Sequence, residues 1–564
     1  MTRRLAWLAV VAALGAAWYA ALPPRAGALP GTPEGVPAPV RGAIHVHSDR
    51  SDGTGTVDEI AAAASRAGLA FVVLTDHGDA TREPAPPVYR SGVLCIDSVE
   101  ISTENGHIVA LGLAASPYPI AGEARDVVED IDRLGGFSIA AHPGSEKPEL
   151  RWTGWETPIG GLEWLNGDSE WRDESAWSLA RVLLAYPARK PEALVTLLDR
   201  PGDVLARWDA LTRERRVVAV AAADAHARLG LRSLGEPYEN SASLPVPSYE
   251  QVFRTFSIAL PHVALTGNAA DDALAVIGAI RSGDVYSVVD AIAGPAAMLF
   301  TGTSGAVKAM AGDVMPLAGQ VTLRVDAQAP PEARIELLKD GSSVASAAGP
   351  VLEHVTGDAG VYRVEVSLPR APGQPPVPWM LSNPIYVGRN AADVRAGTRP
   401  PAREFTSQYG NGAATGWTIE TSEASMAAVD VAPAVGGTQL ALRYALGGAA
   451  SASPFAALAM PAGPALQAYD RLMFTARADR PTRLSVQLRS PGGSAGERWH
   501  RSVFLDTSPR PIVVYFDDLR PRGVTSGPRP VLSNVQSVLF VIDTVNTQLG
   551  SNGRIWIDEV RYGR

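Results

Sequence analysis

The densest chemistry in the chain lies in Ile44-His45-Val46-His47-Ser48-Asp49-Arg50-Ser51-Asp52-Gly53. Successive side chains on a β-strand alternate faces, so His45 and His47 are expected on one face, roughly 6–7 Å apart along the strand. Two imidazoles so placed suit one metal ion, and the Asp/Gly turn that follows can bring Asp52 to the same strand end. A lone pair of this kind fits two buried structural histidines equally well. The chain holds nine histidines, however, and six of them fall in short motifs of one character. These are His45 with His47, Thr75-Asp76-His77, Glu100 with His107, Ala140-Ala141-His142-Pro143-Gly144 and Ala223-Asp224-Ala225-His226. They sit at or just beyond apolar runs at 69–74, 93–101, 137–141 and 217–223, the place where α/β sheets carry their chemistry. His262, His354 and His500 stand outside the set and read as structural or surface histidines.

The elements that must position these residues follow a simple pattern. From 41 to 293 short apolar runs alternate with helical stretches, as in βα units around a parallel sheet. Thr56 as N-cap, Glu59 three residues on and Gly68 at the far end predict a helix between them. A second helix is expected over 123–134, closed by Gly135-Gly136, and a third over 271–282. This periodicity does not distinguish a closed barrel from an open sheet.

The motifs His-x-His-Ser-x-x-Ser-Asp-Gly, Thr-Asp-His, Glu…His, Ala-His-Pro-Gly and Asp-Ala-His occur in one order between His45 and His226. In this the chain resembles the PHP (polymerase and histidinol phosphatase) metallophosphoesterases, over a third to a half of its length. The resemblance implies a distorted (β/α)7 barrel with two to three divalent ions, manganese, iron or zinc. It further implies that His45, His47, Glu100 and Asp224 hold one ion, with Glu100 bridging to a second that also takes His107 and His142. Asp52, His77 and His226 would hold the third. Paired ions joined by a carboxylate lower the pKa of a water between them, which gives a nucleophile for phosphorus without any side-chain nucleophile. Glu100 and Asp224 are therefore the expected catalytic carboxylates. Arg50, Lys147 and Arg228, each a few residues from a ligand, are candidate clamps for a phosphate. Asp76 is expected to orient an imidazole from outside the ligand set. Glu163 and Asn166 resemble a position near the family's site.

With 564 residues, 46% hydrophobic and 19% charged, the chain is long enough for several domains with real cores. A net charge of −9 and no Lys/Arg-rich block argue against a nucleic-acid-coating role. The single cysteine, Cys95, excludes an internal disulfide and reads as a buried small hydrophobe. Arg3-Arg4, an apolar run to about Leu22 and Ala26-Gly27-Ala28 have the features of a secretory signal, with a retained membrane anchor as the alternative. Export to the periplasm or the cell exterior is expected, with residues 1–28 as signal or anchor and the proline-rich 29–40 as a linker. The region 145–216 carries Trp152, Trp155, Trp164, Trp171, Trp177 and Trp208, which read either as helices packed over the barrel or as a cleft or membrane-surface lining.

From 294 to 390 alternating short strands predict an Ig-like β-sandwich, with Asp340-Gly341 as a turn. Residues 404–564 resemble the galactose-binding-like jelly rolls that accompany exported hydrolases. There Trp417, Trp499 and Trp556 are candidate carbohydrate contacts, and Trp556 is more simply a core residue. The expected function is an exported metal-dependent phosphoesterase acting on a phosphorylated small molecule or a phosphodiester. Two alternatives stand beside it: another metal-dependent hydrolase, of an amide or a lactone, and a non-catalytic polysaccharide-binding protein.

Overall fold

Thr56 and Glu59 exchange two hydrogen bonds, Thr56 N–H to Glu59 Oε2 at 2.9 Å and Glu59 N–H to Thr56 Oγ1 at 3.3 Å, and so begin the helix Val57–Arg66. Ile60, Ala61, Ala63 and Ala64 form its buried side. Gly68, at φ +76°, then turns the chain towards the strand Phe71–Leu74. Every residue of that strand is buried, as a continuous apolar run requires when both faces are covered. The same unit recurs as helix Ala124–Arg133 followed by strand Phe137–Ala140, and helix Ala269–Ser282 leads through Gly283 into Tyr286–Val288. The structure, a computed structural model, describes residues 2–230, 243–244, 246–389, 399–409, 414–434, 437–449, 453–492 and 496–564.

The described residues form two compact units. The first comprises 1–78, 83–114 and 131–396 and opens as an α/β region. In it Val40–Val46 pairs in parallel with Phe71–Leu74, which pairs in parallel with Val93–Asp97. On its other side Val40–Val46 runs antiparallel to Ser257–Leu260. A second sheet orders Val99–Thr103, Gly106–Leu111, Phe137–Ala140, Gly161–Asn166 and Val218–Ala222. The two sheets meet at two isolated parallel bridges, His77 with Glu100 and Val46 with Ala225.

The first sheet does not stop at residue 293. Tyr286–Val288 pairs with Met380–Ser382, so the α/β region and the β-sandwich that follows share one twelve-stranded sheet. Their cores are continuous too, since Tyr286 and Val288 pack with Trp379, Tyr362 and Met315. Asn383 fastens the join by accepting from Ala219 N–H and donating to Ala219 and Val285 carbonyls at 2.8–2.9 Å. Asp340 and Gly341, at φ 52° and 88°, form the expected tight hairpin between Arg334–Lys339 and Ser342–Ala348.

The second unit comprises 79–82, 115–130 and 397–564 and is built from two six-stranded sheets around one apolar core. Segment 115–130 belongs to it through Asp130, whose Oδ1 lies 2.8 Å from Arg483 Nη1 with both side chains buried. Trp499 lies in this core and Trp417 packs against it. Trp556 does not: alternation sends Ile555 and Ile557 inward, and Trp556 faces away from them, half-buried under the Arg477 guanidinium 3.6 Å from its ring centre. That reverses its assignment to the core.

At the N-terminus Thr2–Ala21 is a helix on which Leu5, Trp7, Leu8 and Leu14 are exposed. Among the described residues no helix is long and apolar enough to cross a membrane. Of the tryptophans in 145–216, Trp208 in the helix Gly202–Glu214, Trp164 in the strand Gly161–Asn166 and Trp152 outside any helix or strand are all fully buried, and Trp177 is exposed.

Candidate metal centre

Strand ends bring the ligands together. His45 and His47 close Val40–Val46, Asp76-His77 follows Phe71–Leu74, Glu100 lies in Val99–Thr103 opposite Gly106–Leu111 with His107, His142 follows Phe137–Ala140 and Asp224 follows Val218–Ala222. The first pair does not share a face by simple alternation. Register with the neighbouring strand shifts between Ala43 and Val46, and His45 sits at φ 64°. This bulge re-aims His45, and its ring centre lies 5.1 Å from that of His47.

All nine expected ligands converge. Their ligand atoms form four overlapping groups, each within 4.8 Å: His47, Asp52, His77, His226; His45, His47, Asp224; His45, Glu100, His142; and His77, Glu100, His107. Glu100 is the hub. Its Oε2 lies 3.2 Å from His45 Nε2, 3.3 Å from His47 Nε2 and 3.2 Å from His77 Nδ1, while Oε1 lies 2.8 Å from His107 Nδ1 and 3.4 Å from His142 Nε2. Asp224 divides its oxygens in the same way, Oδ1 towards His45 and His47 at 3.4 Å and Oδ2 towards His142 at 3.1 Å. His45, His47, His77 and Glu100 each fall in two groups, so the groups overlap more than three separate ligand sets would.

The electrostatics belong to a site short of positive charge. Burial opposes ionisation of Glu100 and Asp224, yet the imidazoles around them, His45 foremost, hold both carboxyls well below the usual range. Burial also opposes the charged form of His45 and His47, but the facing carboxylates outweigh it, holding His45 well above its ordinary value and raising His47 to about 9. His77 goes the other way, to about 4, chiefly through burial. His45 Nε2, His47 Nε2, Glu100 Oε2 and Asp224 Oδ1 are buried and lack a hydrogen-bond partner. Buried polar atoms are nearly always satisfied, and four facing one another fit a cation among them. Imidazole and carboxylate together suit zinc, iron or manganese.

The basic residues behave differently. Arg50 Nε lies 3.1 Å from Asp76 Oδ2 and its Nη2 lies 2.9 Å from Asp97 Oδ1, so two carboxylates hold its guanidinium in the loop. Arg228 Nη2 is 2.9 Å from Asp52 Oδ2, beside a ligand group. Lys147 is half-buried and is fixed by its backbone N–H on Ser145 Oγ at 3.2 Å. Asp76 accepts from Ser48 N–H, Ser48 Oγ and Ser51 Oγ at 2.7 Å each. It thus braces the 48–51 turn, whose Ser51 Oγ lies 3.4 Å from His47 Nδ1.

Two residues at the site had no expected part in it. Tyr249 Oη donates to His47 O at 2.8 Å and accepts from Thr54 and Gly55 N–H at 3.1 Å, which pins the turn after the histidine pair. Asp97 receives Arg50. No motif marks either one. Glu163 and Asn166 do reach the site: Glu163 Oε1 lies 2.5 Å from His45 Nδ1, and its Oε2 accepts from Asn166 Nδ2 at 2.7 Å.

No protein-family model and no curated protein matches this chain. Among solved structures, a family 11 carbohydrate-binding module from Clostridium thermocellum, in complex with a β-1,3-1,4-mixed-linked tetrasaccharide, is 14% identical and covers 28% of this chain and 94% of its own, with a TM-score of 0.24. The family 11 module of a cellulosomal cellulase of Clostridium thermocellum is 16% identical over 29% of this chain and 97% of its own, with a TM-score of 0.25. A family 30 module of a cellulosomal cellulase from Clostridium thermocellum is 9% identical over 28% and 97%, with a TM-score of 0.23. These likenesses fall on the C-terminal β-sandwich.

Proposed function

We propose that the first unit is a metal-dependent phosphoesterase of the PHP type, its α/β region a distorted seven-stranded barrel. What supports the barrel is the pair of bridges, His77 with Glu100 and Val46 with Ala225, that tie both edges of the second sheet to neighbouring strands of the first. What carries the activity is one observation: nine side chains from 45 to 226 aim ligand atoms at one buried place, with no hydrogen-bond partner for four of those atoms.

Divalent ions held there supply Lewis acidity and a low-pKa water, which suit attack on a phosphate ester. The chain's own part is placement. Glu100 sets the spacing of the groups that share it, since each of its oxygens faces a different set of imidazoles. Asp224 ties His142 to His45 and His47. Arg228 lies beside a ligand group, where a phosphate oxygen can compete with Asp52 for it.

The test is metal analysis of the purified full chain, followed by turnover of an aryl phosphate monoester, an aryl phosphodiester and an aryl acetamide. Phosphate ester turnover with two to three ions per chain is the expected result. Turnover of the acetamide alone would move the assignment to amide hydrolysis on the same centre.

The second reading is a polysaccharide-binding protein, and its support lies in the C-terminal β-sandwich with Trp556 on an outer face. The Arg477 guanidinium already stacks on that ring, so a sugar has to displace it. Retention of the metal-stripped chain on an insoluble β-glucan, lost in Trp556→Ala, is the result that favours this reading. The N-terminal run supports export under either reading, and the absence of residues 1–28 from the protein recovered outside the cytoplasm would establish cleavage.

A further inference from the structure

We infer that Glu163 is a positioning residue that presets the metal centre, fixing the His45 ring through Nδ1 and the His142 backbone through its N–H. The inference rests on the metal-centre reading above and assigns a role to a carboxylate outside the nine ligands.

Glu163 stands in the strand Gly161–Asn166, where register with Val218–Ala222 shifts between Glu163 and Leu165. It is 2% exposed, and no lysine or arginine pairs with it among the described residues. A buried carboxylate without a basic partner is costly, so its hydrogen bonds show what it is kept for. One oxygen, Oε1, lies 2.5 Å from His45 Nδ1. The other, Oε2, accepts from His142 N–H at 3.0 Å and from Asn166 Nδ2 at 2.7 Å.

Both contacts bear on ligand geometry. A carboxylate at Nδ1 keeps the proton on that nitrogen and leaves the Nε2 lone pair free, the arrangement outer carboxylates impose on metal-bound histidines. His45 Nε2 is the atom that faces Glu100 Oε2 at 3.2 Å and Asp224 Oδ1 at 3.4 Å. His45, His142 and Asp224 also share a backbone peculiarity, φ of 64°, 48° and 43°, in the left-handed region that non-glycine residues seldom occupy. Such conformations persist only where the surroundings over-determine them. Glu163 reaches two of the three. Asn166 in turn steadies Glu163: its amide donates to Oε2 while its Oδ1 accepts Ser169 N–H at 2.9 Å, as N-cap of the helix Gly167–Arg172.

A merely structural carboxylate would matter to folding alone. The decisive experiment therefore reads the ring itself and the ions, on the full-length chain. In metal-free protein labelled with 15N-histidine, at a pH raised until the His45 ring is neutral, the His45 resonances, assigned by their loss in His45→Gln, are expected to show the Nδ1–H form in wild type and a mixture in Glu163→Gln. Metal content after dialysis against Mn²⁺, and competition with a chelator, are expected to show affinity for at least one ion falling about 10–100-fold in Glu163→Gln, with unchanged circular dichroism. Wild-type His45 carrying its proton on Nε2 would overturn the inference. So would a folded Glu163→Gln that keeps every ion within about twofold of wild-type affinity. If Glu163→Gln does not fold, the wild-type tautomer and the chelator competition of Asn166→Ala decide. If wild type binds no ion, the metal-centre reading falls, and the tautomer measurement still judges the hold of Glu163 on His45.

Discussion

His77 and Glu100 meet twice, once through a parallel backbone bridge and once where His77 Nδ1 lies 3.2 Å from Glu100 Oε2. The same two residues therefore join the two sheets and sit at the centre of the ligand cluster. Chemistry and fold are coupled at this point, and a change in Glu100 tests both.

Glu100→Gln keeps the shape of the side chain and its backbone bridge but removes the charge that draws together five imidazoles. We expect the variant to fold, to lose at least one ion, and to drop in phosphate ester hydrolysis by about a hundredfold or more. Undiminished turnover with full metal content would remove Glu100 from its place.

Stripping the ions is expected to abolish turnover and restore it on adding back manganese, iron or zinc. It should also lower the melting temperature of the first unit. Nine ligands packed round one place leave Glu100 and Asp224 facing only partly charged imidazoles, and binding to the native state alone stabilises it by mass action. Calorimetry of the stripped and reloaded chain measures this, and coincident melting curves would contradict it.

The ligand types and their order were readable because metal ligands must be His, Asp or Glu, and βα units deliver them at strand ends. Residue contacts across the fold were not. His45 faces His47 through a bulge that strand alternation does not foresee. Arg50 is held by Asp76 and Asp97, 26 and 47 positions away, pairings that depend on how three strand ends meet. Trp556 has the alternating neighbours of a core strand, yet alternation fixes only that it opposes Ile555 and Ile557, not which of the two faces is the core. The sheet shared by the α/β region and the β-sandwich left no mark in composition, since both sides of residue 293 are apolar strands.

Gly53 is expected to be intolerant of any side chain. A Cβ there would lie 2.2 Å from His47 O and 2.8 Å from Tyr249 Oη, and the first of these is backbone that cannot give way without moving the histidine pair. Gly53→Ala should cost about 1–3 kcal/mol through overpacking and lower the metal content as well. A variant with wild-type melting temperature and wild-type ion number would show that the turn is more yielding than its contacts imply.

The second unit carries its own pH response, in His500. Its ring is buried, neither nitrogen has a hydrogen-bond partner, and burial together with Arg522 lowers its pKa to about 4. In the unfolded chain a histidine titrates near about 6.5, so between that value and about 4 the unfolded state binds the extra proton and the folded state does not. Stability is full above the upper value and is lost progressively as pH falls through this window, by about 3 kcal/mol if the whole difference is realised. His500→Leu removes the titrating ring, and its urea midpoint should change less between pH 7 and pH 4.5 than that of wild type. Equal slopes for the two proteins would mean that His500 takes up its proton without opening the fold.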